Sequence, residues 1–253
     1  MIKQFFLAGL FLLSGSFFLG GCGKNSLHNS NPSEQVTQTP QVTPATQATQ
    51  APQVTPTPQE ADTYFSTSRI TADIFSRMKG KSYPDNCTLD LETLRYVTVG
   101  YINFDGILCK GELIVNTEIA EDVVSIFEEL LKEEYPIESI TLIDEYDADD
   151  NRSMAANNSS AFCYRVISGT DRLSNHSFGL AIDINPLYNP YIKSNGEVLP
   201  KEAEVFANRT ITNPYYITSE DRCVRIFKKH GFTWGGDWET SKDYQHFEKE
   251  LSN

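Results

Sequence analysis

Two stretches of the chain alternate apolar and polar residues with the period of a β-strand. Residues 94–104 (LRYVTVGYINF) and 111–116 (GELIVN) are rich in β-branched and aromatic types and flank an Asp105-Gly106 turn signal. This arrangement predicts a β-hairpin. A shorter apolar run at 139–144 (SITLID) predicts a further strand.

Two other stretches have the spacing of amphipathic helices. The first follows Thr117, its expected cap, and stops before Pro136. Its apolar positions share one face: Ile119, Val123, Phe127 and Leu130. The second runs from Thr218, which has capping-box spacing with Asp221, to Gly231 at the expected C-terminus. Strands and helices are interleaved, so we expect a single compact α+β domain with a small antiparallel sheet and flanking helices.

Composition divides the 253 residues into unequal parts, beginning with a short apolar segment. Lys3 precedes an apolar run over 5–19 that ends in Leu19-Gly20-Gly21-Cys22. This boundary resembles a bacterial lipoprotein signal, which is cleaved before a cysteine that becomes lipidated. We therefore expect a signal peptide over 1–22 and an extracytoplasmic protein, anchored in the cell membrane through lipid on Cys22. The alternative is an ordinary signal peptide with an incidental cysteine.

A polar segment over 23–61 separates this signal from the rest of the chain. It consists mainly of Gln, Thr, Pro, Ser and Asn, which cannot bury enough apolar surface to fold. We expect a disordered tether that spans roughly 35 Å as a flexible coil. The remaining residues, 62–253, suffice for one domain with a core. The net charge of -13 falls on this domain and argues against nucleic acid as a partner.

The cysteines other than Cys22 leave two alternatives open. They are Cys87, Cys109, Cys163 and Cys223, and none forms a C-x-x-C pair, so a thiolate zinc site is not expected. In an exported domain they can pair as disulfides, with three possible connectivities. Alternatively, all four are small buried apolar residues.

The four histidines separate into two pairs. His28 lies in the predicted tether, where nothing orients it, and His230 lies in the last turn of a predicted helix, where it offsets the helix dipole. His176 and His246 remain as candidates for chemistry.

His176 belongs to an unusual segment, residues 174–185 (SNHSFGLAIDIN). Its second half alternates, so that Leu180, Ile182 and Ile184 face one way and Asp183 faces the other. If the apolar face is core, Asp183 faces a cleft beside the loop that carries His176.

His246 lies near the end of a second unusual segment, residues 231–248. The strand period places His246 and Glu248 on one face and Phe247 on the other. Two imidazoles and one carboxylate form a three-ligand set, and catalytic zinc commonly takes three protein ligands and keeps an open position. We therefore predict one Zn²⁺ per domain, bound by His176, Asp183 and His246.

Both segments carry the motifs of a known family. SNHSFGLAID resembles the SxHxxGxAxD signature of the M15 zinc D-alanyl-D-alanine peptidases, and DYQH at 243–246 resembles their D/E-x-x-H. The flanking NPLYNPY and GFTWGGDW resemble the subfamily of phage L-alanyl-D-glutamate endopeptidases and related carboxypeptidases. The resemblance implies a zinc site in a central cleft, the same three ligands, and Asp243 as the catalytic acid/base. Many relatives have the longer Glu at that position.

Further roles follow from the resemblance or from position. Arg165 resembles a family arginine that binds a substrate carboxylate or a developing oxyanion, and the alternative is a surface salt bridge. Ser174 is a candidate to hydrogen-bond substrate, and the alternative is a loop cap. Glu248 is expected to support a ligand. The aromatic residues Trp234, Trp238 and Tyr244 are expected to pack in the core rather than line the cleft.

These residues predict a zinc peptidase acting on peptidoglycan stem peptides, monomeric and tethered at the outer face of the membrane. It either removes the terminal D-Ala or cuts the L-Ala to D-Glu bond. The alternative from another class is a catalytically silent, zinc-stabilised module that binds the cell wall. Asp243 favours the enzyme, because a binding module needs no ionisable group beside the metal. An amidase of wall polymers would share the chemistry but not this motif spacing.

Overall fold

The structure is a computed structural model that describes residues 63–167 and 169–251. The predicted signal peptide 1–22 with its lipidated Cys22 and the predicted tether 23–61 lie outside the described residues, and so they remain predictions. Within the described ranges, no helix has both the length and the apolar character that crossing a membrane requires.

Short helices and small sheets are interleaved along the described chain. The α-helices are α1 (Ala72–Met78), α2 (Ala120–Lys132), α3 (Asp150–Ala155) and α4 (Arg222–Lys229). The strands are β1 (Ser66–Arg69), β2 (Leu94–Ile102), β3 (Leu108–Asn116), β4 (Ser139–Ile140), β5 (Asn158–Ser159), β6 (Ala181–Asp183), β7 (Tyr191–Ile192), β8 (Val198–Leu199), β9 (Thr233–Trp234), β10 (Lys242–Asp243) and β11 (His246–Glu248). The predicted α+β class with small antiparallel sheets is confirmed.

The predicted hairpin forms the longest strand pair. β2 and β3 pair antiparallel, and β1 adds to the free edge of β2. The turn is held by Asn103, whose side chain accepts from the backbone N–H groups of Asp105 at 3.0 Å and Ile107 at 2.8 Å. Gly106 has a φ of +76°, a conformation that favours glycine. The hairpin is confirmed, although β3 begins at Leu108 rather than at Gly111.

The first predicted helix is present as α2, with different ends. Its apolar face is buried as predicted: Ile119, Val123, Phe127 and Leu130. The predicted cap was wrong, because Asn116 rather than Thr117 accepts the first free N–H group, that of Glu118, at 3.0 Å. A 3-10 turn, Thr117–Ile119, precedes the helix. The hydroxyl of Thr117 instead donates to the carbonyl of Glu92 at 3.3 Å.

The strand predicted at 139–144 was largely wrong, since only Ser139–Ile140 is extended and paired. The side chain of Asn158 accepts from the N–H of Thr141 at 2.8 Å and donates to its carbonyl at 3.1 Å. These two hydrogen bonds occupy the backbone groups of Thr141 that a longer strand would use for pairing. A 3-10 turn, Ile143–Tyr146, follows and buries Asp144, whose carboxylate accepts from the N–H of Ser82 at 3.1 Å.

The second predicted helix, α4, begins later than expected. Asp221 is its cap and accepts from the N–H of Cys223 at 2.7 Å, so the predicted start at Thr218 was wrong. Gly231 follows the helix with a φ of +82°, as the sequence predicts. His230 has a structural role here, because its Nε2 lies 2.8 Å from a carboxylate oxygen of Glu129 on α2.

Two three-stranded sheets carry the C-terminal half of the described chain, in the orders β6-β11-β9 and β10-β7-β8. The first of these is anchored in the main core. Ile182 and Phe247 are fully buried, and the ring of Phe247 stacks on Phe227 of α4 with a centroid distance of 4.1 Å. The strands that carry both sequence motifs therefore have one face fixed to the core.

All four cysteines among the described residues are free thiols. Cys163 and Cys223 are buried and behave as small apolar side chains, whereas Cys87 and Cys109 are partly buried. The structure therefore follows the thiol alternative rather than the disulfide alternative.

Candidate metal centre and active site

A tight turn positions His176. The 3-10 turn Asn175–Phe178 is capped by Ser174, whose Oγ accepts from the N–H of His176 at 3.3 Å. Gly179 ends the turn with a φ of +66°, and a Cβ there would lie 2.6 Å from the backbone nitrogen of Asn116. Glycine is therefore required on both conformational and steric grounds, and the turn packs against the end of β3.

The register of two strands positions the other two ligand candidates. β11 pairs antiparallel with β6, and His246 lies directly opposite Asp183. Phe247 and Ile182 form the adjacent pair and point into the core. Because side chains alternate along a strand, His246 and Asp183 project together from the other face.

The three predicted ligands converge in a buried cluster. His176 Nε2 lies 3.2 Å from Asp183 Oδ2, and His246 Nδ1 lies 3.0 Å from Asp183 Oδ1. His176 Nε2 and His246 Nδ1 are 3.2 Å apart. One ligand atom from each residue lies within 4.8 Å of the others, and all three residues are buried.

The outer nitrogens of both imidazoles have acceptor partners. His176 Nδ1 lies 2.6 Å from the carbonyl oxygen of Ala161, which can only accept, so this nitrogen carries the proton. His246 Nε2 lies 3.1 Å from a carboxylate oxygen of Glu248, and Asn175 donates to the same oxygen at 2.5 Å. With these outer partners as acceptors, each ring can offer its inner nitrogen to a metal ion. This is the outer hydrogen-bond pattern typical of histidine ligands to metals.

The carboxylates of Asp183 and Glu248 on either side of His246 favour positive charge in the cluster. Burial alone would lower the pKa of His246, but hydrogen bonds with Asp183 and Glu248 outweigh it and raise the pKa to about 10. Burial alone would raise the pKa of Asp183, yet the neighbouring imidazoles of His176 and His246 hold it well below its ordinary value. The cluster thus fits a cation, and two nitrogens with one carboxylate are a donor set that suits zinc.

Asp243 lies on β10, three residues before His246. β10 pairs with β7, and Asp243 lies opposite Tyr191. The side chain is partly buried, and its Oδ1 has no hydrogen-bond partner among the described residues. Burial raises the pKa of Asp243 to about 7, against the lowering effect of His246. A carboxyl group with this pKa is suited to accept and donate protons near neutral pH.

A cavity of about 640 Å³ brings the predicted site residues together. Its lining includes the three ligand candidates, Asp243, Arg165 and Ser174. Ser174 is buried and caps the turn, as the alternative interpretation held, while also facing the cavity.

Arg165 is both a cavity residue and a member of an ion pair. Its Nη2 lies 2.9 Å from Oδ2 of Asp150, whereas its buried Nε has no partner in the described part of the chain. Burial alone would lower the pKa of Arg165, but Asp150 and other nearby acidic groups outweigh it and raise the pKa. Arg165 therefore forms a salt bridge, but with a partly buried partner that also lines the cavity rather than on the surface, and the guanidinium retains donors for a ligand.

Sequence reasoning missed some of the cavity lining. Trp238 was expected in the core, yet it lines the cavity, with its ring centroid 5.5 Å from that of His246. Trp234 is buried in the core as expected. Asp150 and Gln245 also line the cavity. Neither had a signal in the sequence, because an acidic residue in the first turn of a helix is common, and Gln245 fills a variable position of its motif.

The comparison with known proteins identifies one segment. Residues 168–249 match the family model described as D-alanyl-D-alanine carboxypeptidase. No curated protein and no solved structure matches the chain significantly. The matched segment holds His176, Asp183, Asp243 and His246, whereas Arg165 precedes it. The match indicates a peptidase that acts on D-Ala-containing peptides, and it makes this segment similar to the M15 peptidases.

Proposed function

We propose that this protein is a zinc-dependent peptidase that hydrolyses peptidoglycan stem peptides. The observation that carries the proposal is the convergence of His176 Nε2, His246 Nδ1 and the Asp183 carboxylate, with both outer ring nitrogens already paired. The family match supplies the class of substrate. Its description favours removal of the terminal D-Ala over cleavage of the L-Ala to D-Glu bond.

One zinc ion would be held by His176, Asp183 and His246. When bound, zinc supplies Lewis-acid chemistry, polarising a carbonyl oxygen and making water a stronger nucleophile at neutral pH. The described residues offer no fourth His, Cys, Asp or Glu in the cluster, so a bound zinc ion would keep a coordination position available for water or substrate.

Asp243 is the proposed acid/base. Asp243 lines the cavity and its Oδ1 has no hydrogen-bond partner among the described residues, so the carboxylate is free to accept a proton from the attacking water. As the C–O bond forms and the C–N bond breaks, the same carboxyl donates that proton to the departing amine. A single group then serves both transfers, which requires a carboxyl whose pKa lies near the working pH.

Arg165 is the proposed partner for negative charge on the substrate. Its ion pair with Asp150 fixes the guanidinium at the cavity wall, so little side-chain entropy is lost when a substrate binds. The donors not used by Asp150 can bind a carboxylate or a developing oxyanion. Ser174 is fixed by its capping bond at the same wall and is the second proposed substrate contact.

The place of action is proposed from sequence alone. Lipid on Cys22 would hold the enzyme at the outer face of the membrane, and the segment 23–61 would let the domain reach the surrounding wall. A Cys22→Ala variant should leave the membrane fraction when cells are fractionated. If the variant stays with the membrane as the unchanged protein does, this part of the proposal is wrong.

The test of function is digestion of purified muropeptides by the full-length protein in detergent. Parallel reactions contain no addition, a chelator, or a chelator followed by excess Zn²⁺, and products are identified by mass spectrometry. We expect cleavage that the chelator abolishes and zinc restores. Loss of one alanine identifies a carboxypeptidase, whereas release of L-Ala attached to the sugar identifies an endopeptidase. Binding of muropeptides without cleavage under every metal condition would refute the enzyme and support the silent module.

A further inference from the structure

Two residues that line the cavity each have a buried side-chain oxygen atom that lacks a hydrogen-bond donor among the described residues. These atoms are Oε1 of Gln245 and Oδ1 of Asp243. Asp243 is accounted for by the proposed proton transfer. The proposed chemistry does not account for Gln245, although this residue is only 2 % exposed and lines the same cavity.

The backbone of Gln245 is fixed beside the ligand cluster. Its carbonyl accepts from the N–H of Ile184 at 3.0 Å, which extends the pairing between the strands of Asp183 and His246. The side chain therefore starts from a rigid position. A buried acceptor in such a position costs free energy unless a donor reaches it.

The described cations of the cavity do not supply that donor. Arg165 pairs with Asp150 through Nη2, and its Nε reaches no acceptor among the described residues. Lys249 donates to Asp122 at 2.7 Å and to the carbonyl of His230 at 2.8 Å. Arg172 is exposed at the rim. A peptide substrate brings N–H donors as well as carbonyl acceptors, and its N–H groups are the chemical complement of Oε1 of Gln245.

We propose that Gln245 is a specificity residue whose Oε1 accepts a backbone N–H group of the substrate next to the scissile bond. The inference rests on the proposed peptidase function and adds the substrate feature that this side chain recognises. Arg165 donates hydrogen bonds to oxygen atoms of the peptide, whereas Gln245 accepts a hydrogen bond from one of its N–H groups. The site thereby selects secondary amides, because an N-alkylated peptide leaves the buried oxygen unpaired.

The test compares N-methylated substrates across variants of the full-length, zinc-loaded protein. The substrates are a synthetic stem peptide that the enzyme cleaves and two analogues, each N-methylated at one amide adjacent to the scissile bond. For the unchanged protein, we expect one analogue to lose about 30-fold or more in kcat/KM. Gln245→Met should lose a similar factor on the parent peptide and lose little more on that analogue.

Matched variants distinguish a loss of substrate recognition from a disruption of the fold. Gln245→Glu keeps an acceptor of the same length, so it should retain the N-methyl penalty. Zinc content and circular dichroism of each variant report whether the ligand cluster and fold persist, and Gln245→Leu replaces the Met variant if the latter does not fold. Equal N-methyl penalties in the unchanged protein and in the Met or Leu variant overturn the proposal, since a filler or water-binding role predicts that result.

The two proposals fail in different ways. If the unchanged protein cleaves the parent peptide but both analogues equally well, the peptidase function stands and the role of Gln245 is refuted. If it cleaves no peptide with zinc present, the function is refuted and the role of Gln245 is refuted with it.

Discussion

At the scale of single residues, the two histidines of the cluster present different nitrogens. His176 turns Nε2 inward and His246 turns Nδ1 inward. Each choice is set by the partner of the outer nitrogen, which is a backbone carbonyl for His176 and the carboxylate of Glu248 for His246. A carboxylate partner also increases the basicity of the imidazole.

Replacing Glu248 with Gln should weaken metal binding. The amide has the size of the carboxylate but lacks its charge, and loss of such an outer partner typically costs about 10- to 100-fold in metal affinity. Competition with a chelating dye measures the zinc Kd. Glu250→Gln is the matched control. Glu250 is exposed and lies two residues after Glu248, and its replacement removes the same charge. An unchanged zinc Kd for Glu248→Gln would mean that Glu248 does not support the ligand.

Replacing Asp243 with Asn should separate binding from catalysis. The amide cannot accept a proton, so we expect normal zinc content and at least about 100-fold lower kcat on the cleaved muropeptide. Glu239→Gln, an exposed change on the preceding segment, is the control and should keep full activity. If Asp243→Asn stays active, the acid/base is another residue, and Glu248 is the next candidate.

At the scale of elements, the glycine pair after β9 determines how closely Asp243 and His246 approach the neighbouring turn. A Cβ on Gly235 would lie 2.6 Å from the backbone oxygen of Asp243, 2.8 Å from its Cβ and 3.3 Å from the Cβ of His246. The first contact is with backbone and cannot be relieved by a rotamer change. The turn therefore packs directly on the strand segment that carries the acid/base and one ligand.

Gly235→Ala should displace that segment. We expect a loss of about 1–3 kcal/mol in the free energy of unfolding, as for overpacking elsewhere, together with more than tenfold weaker zinc binding. Gly111→Ala is the control, because Gly111 lies in the hairpin, outside the cavity lining, and a Cβ there would lie 2.6 Å from the Cβ of Ile140 on β4. Urea unfolding should show both variants destabilised, and dye competition should show only Gly235→Ala impaired. Equal zinc affinities would contradict the positional role of Gly235.

Sequence pattern was sufficient for elements whose signal is local. The hairpin and the buried face of α2 follow from residue alternation and helical spacing, which depend only on neighbours along the chain. The cap before α2 was misassigned because Asn116 and Thr117 are both capable caps and lie side by side, and Asn116 caps the 3-10 turn that precedes the helix. The strand at 139–144 was overestimated because Asn158, from a distant part of the chain, bonds to both backbone groups of Thr141.

The site divides in the same way. The ligand candidates and Asp243 belong to segments with fixed internal spacing, so the sequence predicts them together. The partner of Arg165 and the cavity position of Trp238 depend on how separate segments pack. Contacts between separate segments cannot be predicted from the spacing of residues along the sequence.

At the scale of the whole molecule, an ion pair ties α1 to the hairpin. Arg77 donates to both carboxylate oxygens of Glu112 on β3, at 3.0 and 2.8 Å, and Tyr96 donates to one of the same oxygens. The hydrogen bonds from Arg77 hold the pKa of Glu112 below its ordinary value, against the opposing effect of burial. A lowered pKa in the folded state stabilises the protein above the unfolded-state pKa of about 4.3. That contribution is lost as the pH falls through the lower, folded-state value.

Glu112→Gln should therefore destabilise the protein in a pH-dependent manner. We expect a cost of about 1–2 kcal/mol at pH 7, which shrinks as the pH falls below about 5. Urea unfolding of both proteins at a series of pH values measures the difference. Glu128→Gln, at an exposed position of α2, should match the unchanged protein at every pH. A constant difference between Glu112→Gln and the unchanged protein would show that the charge of Glu112 is not the cause.

The pairing of Asp183 with His246 also bears on when the protein can become active. These residues lie 63 positions apart, and they meet only when β11 docks beside β6. A chain still emerging from the ribosome or from a membrane translocation channel holds His176 and Asp183 before it holds His246. Such a chain has an incomplete ligand set until the later strand has been delivered and paired. For the peptidase proposed above, hydrolytic capacity then arises only after this segment has been synthesised and has folded.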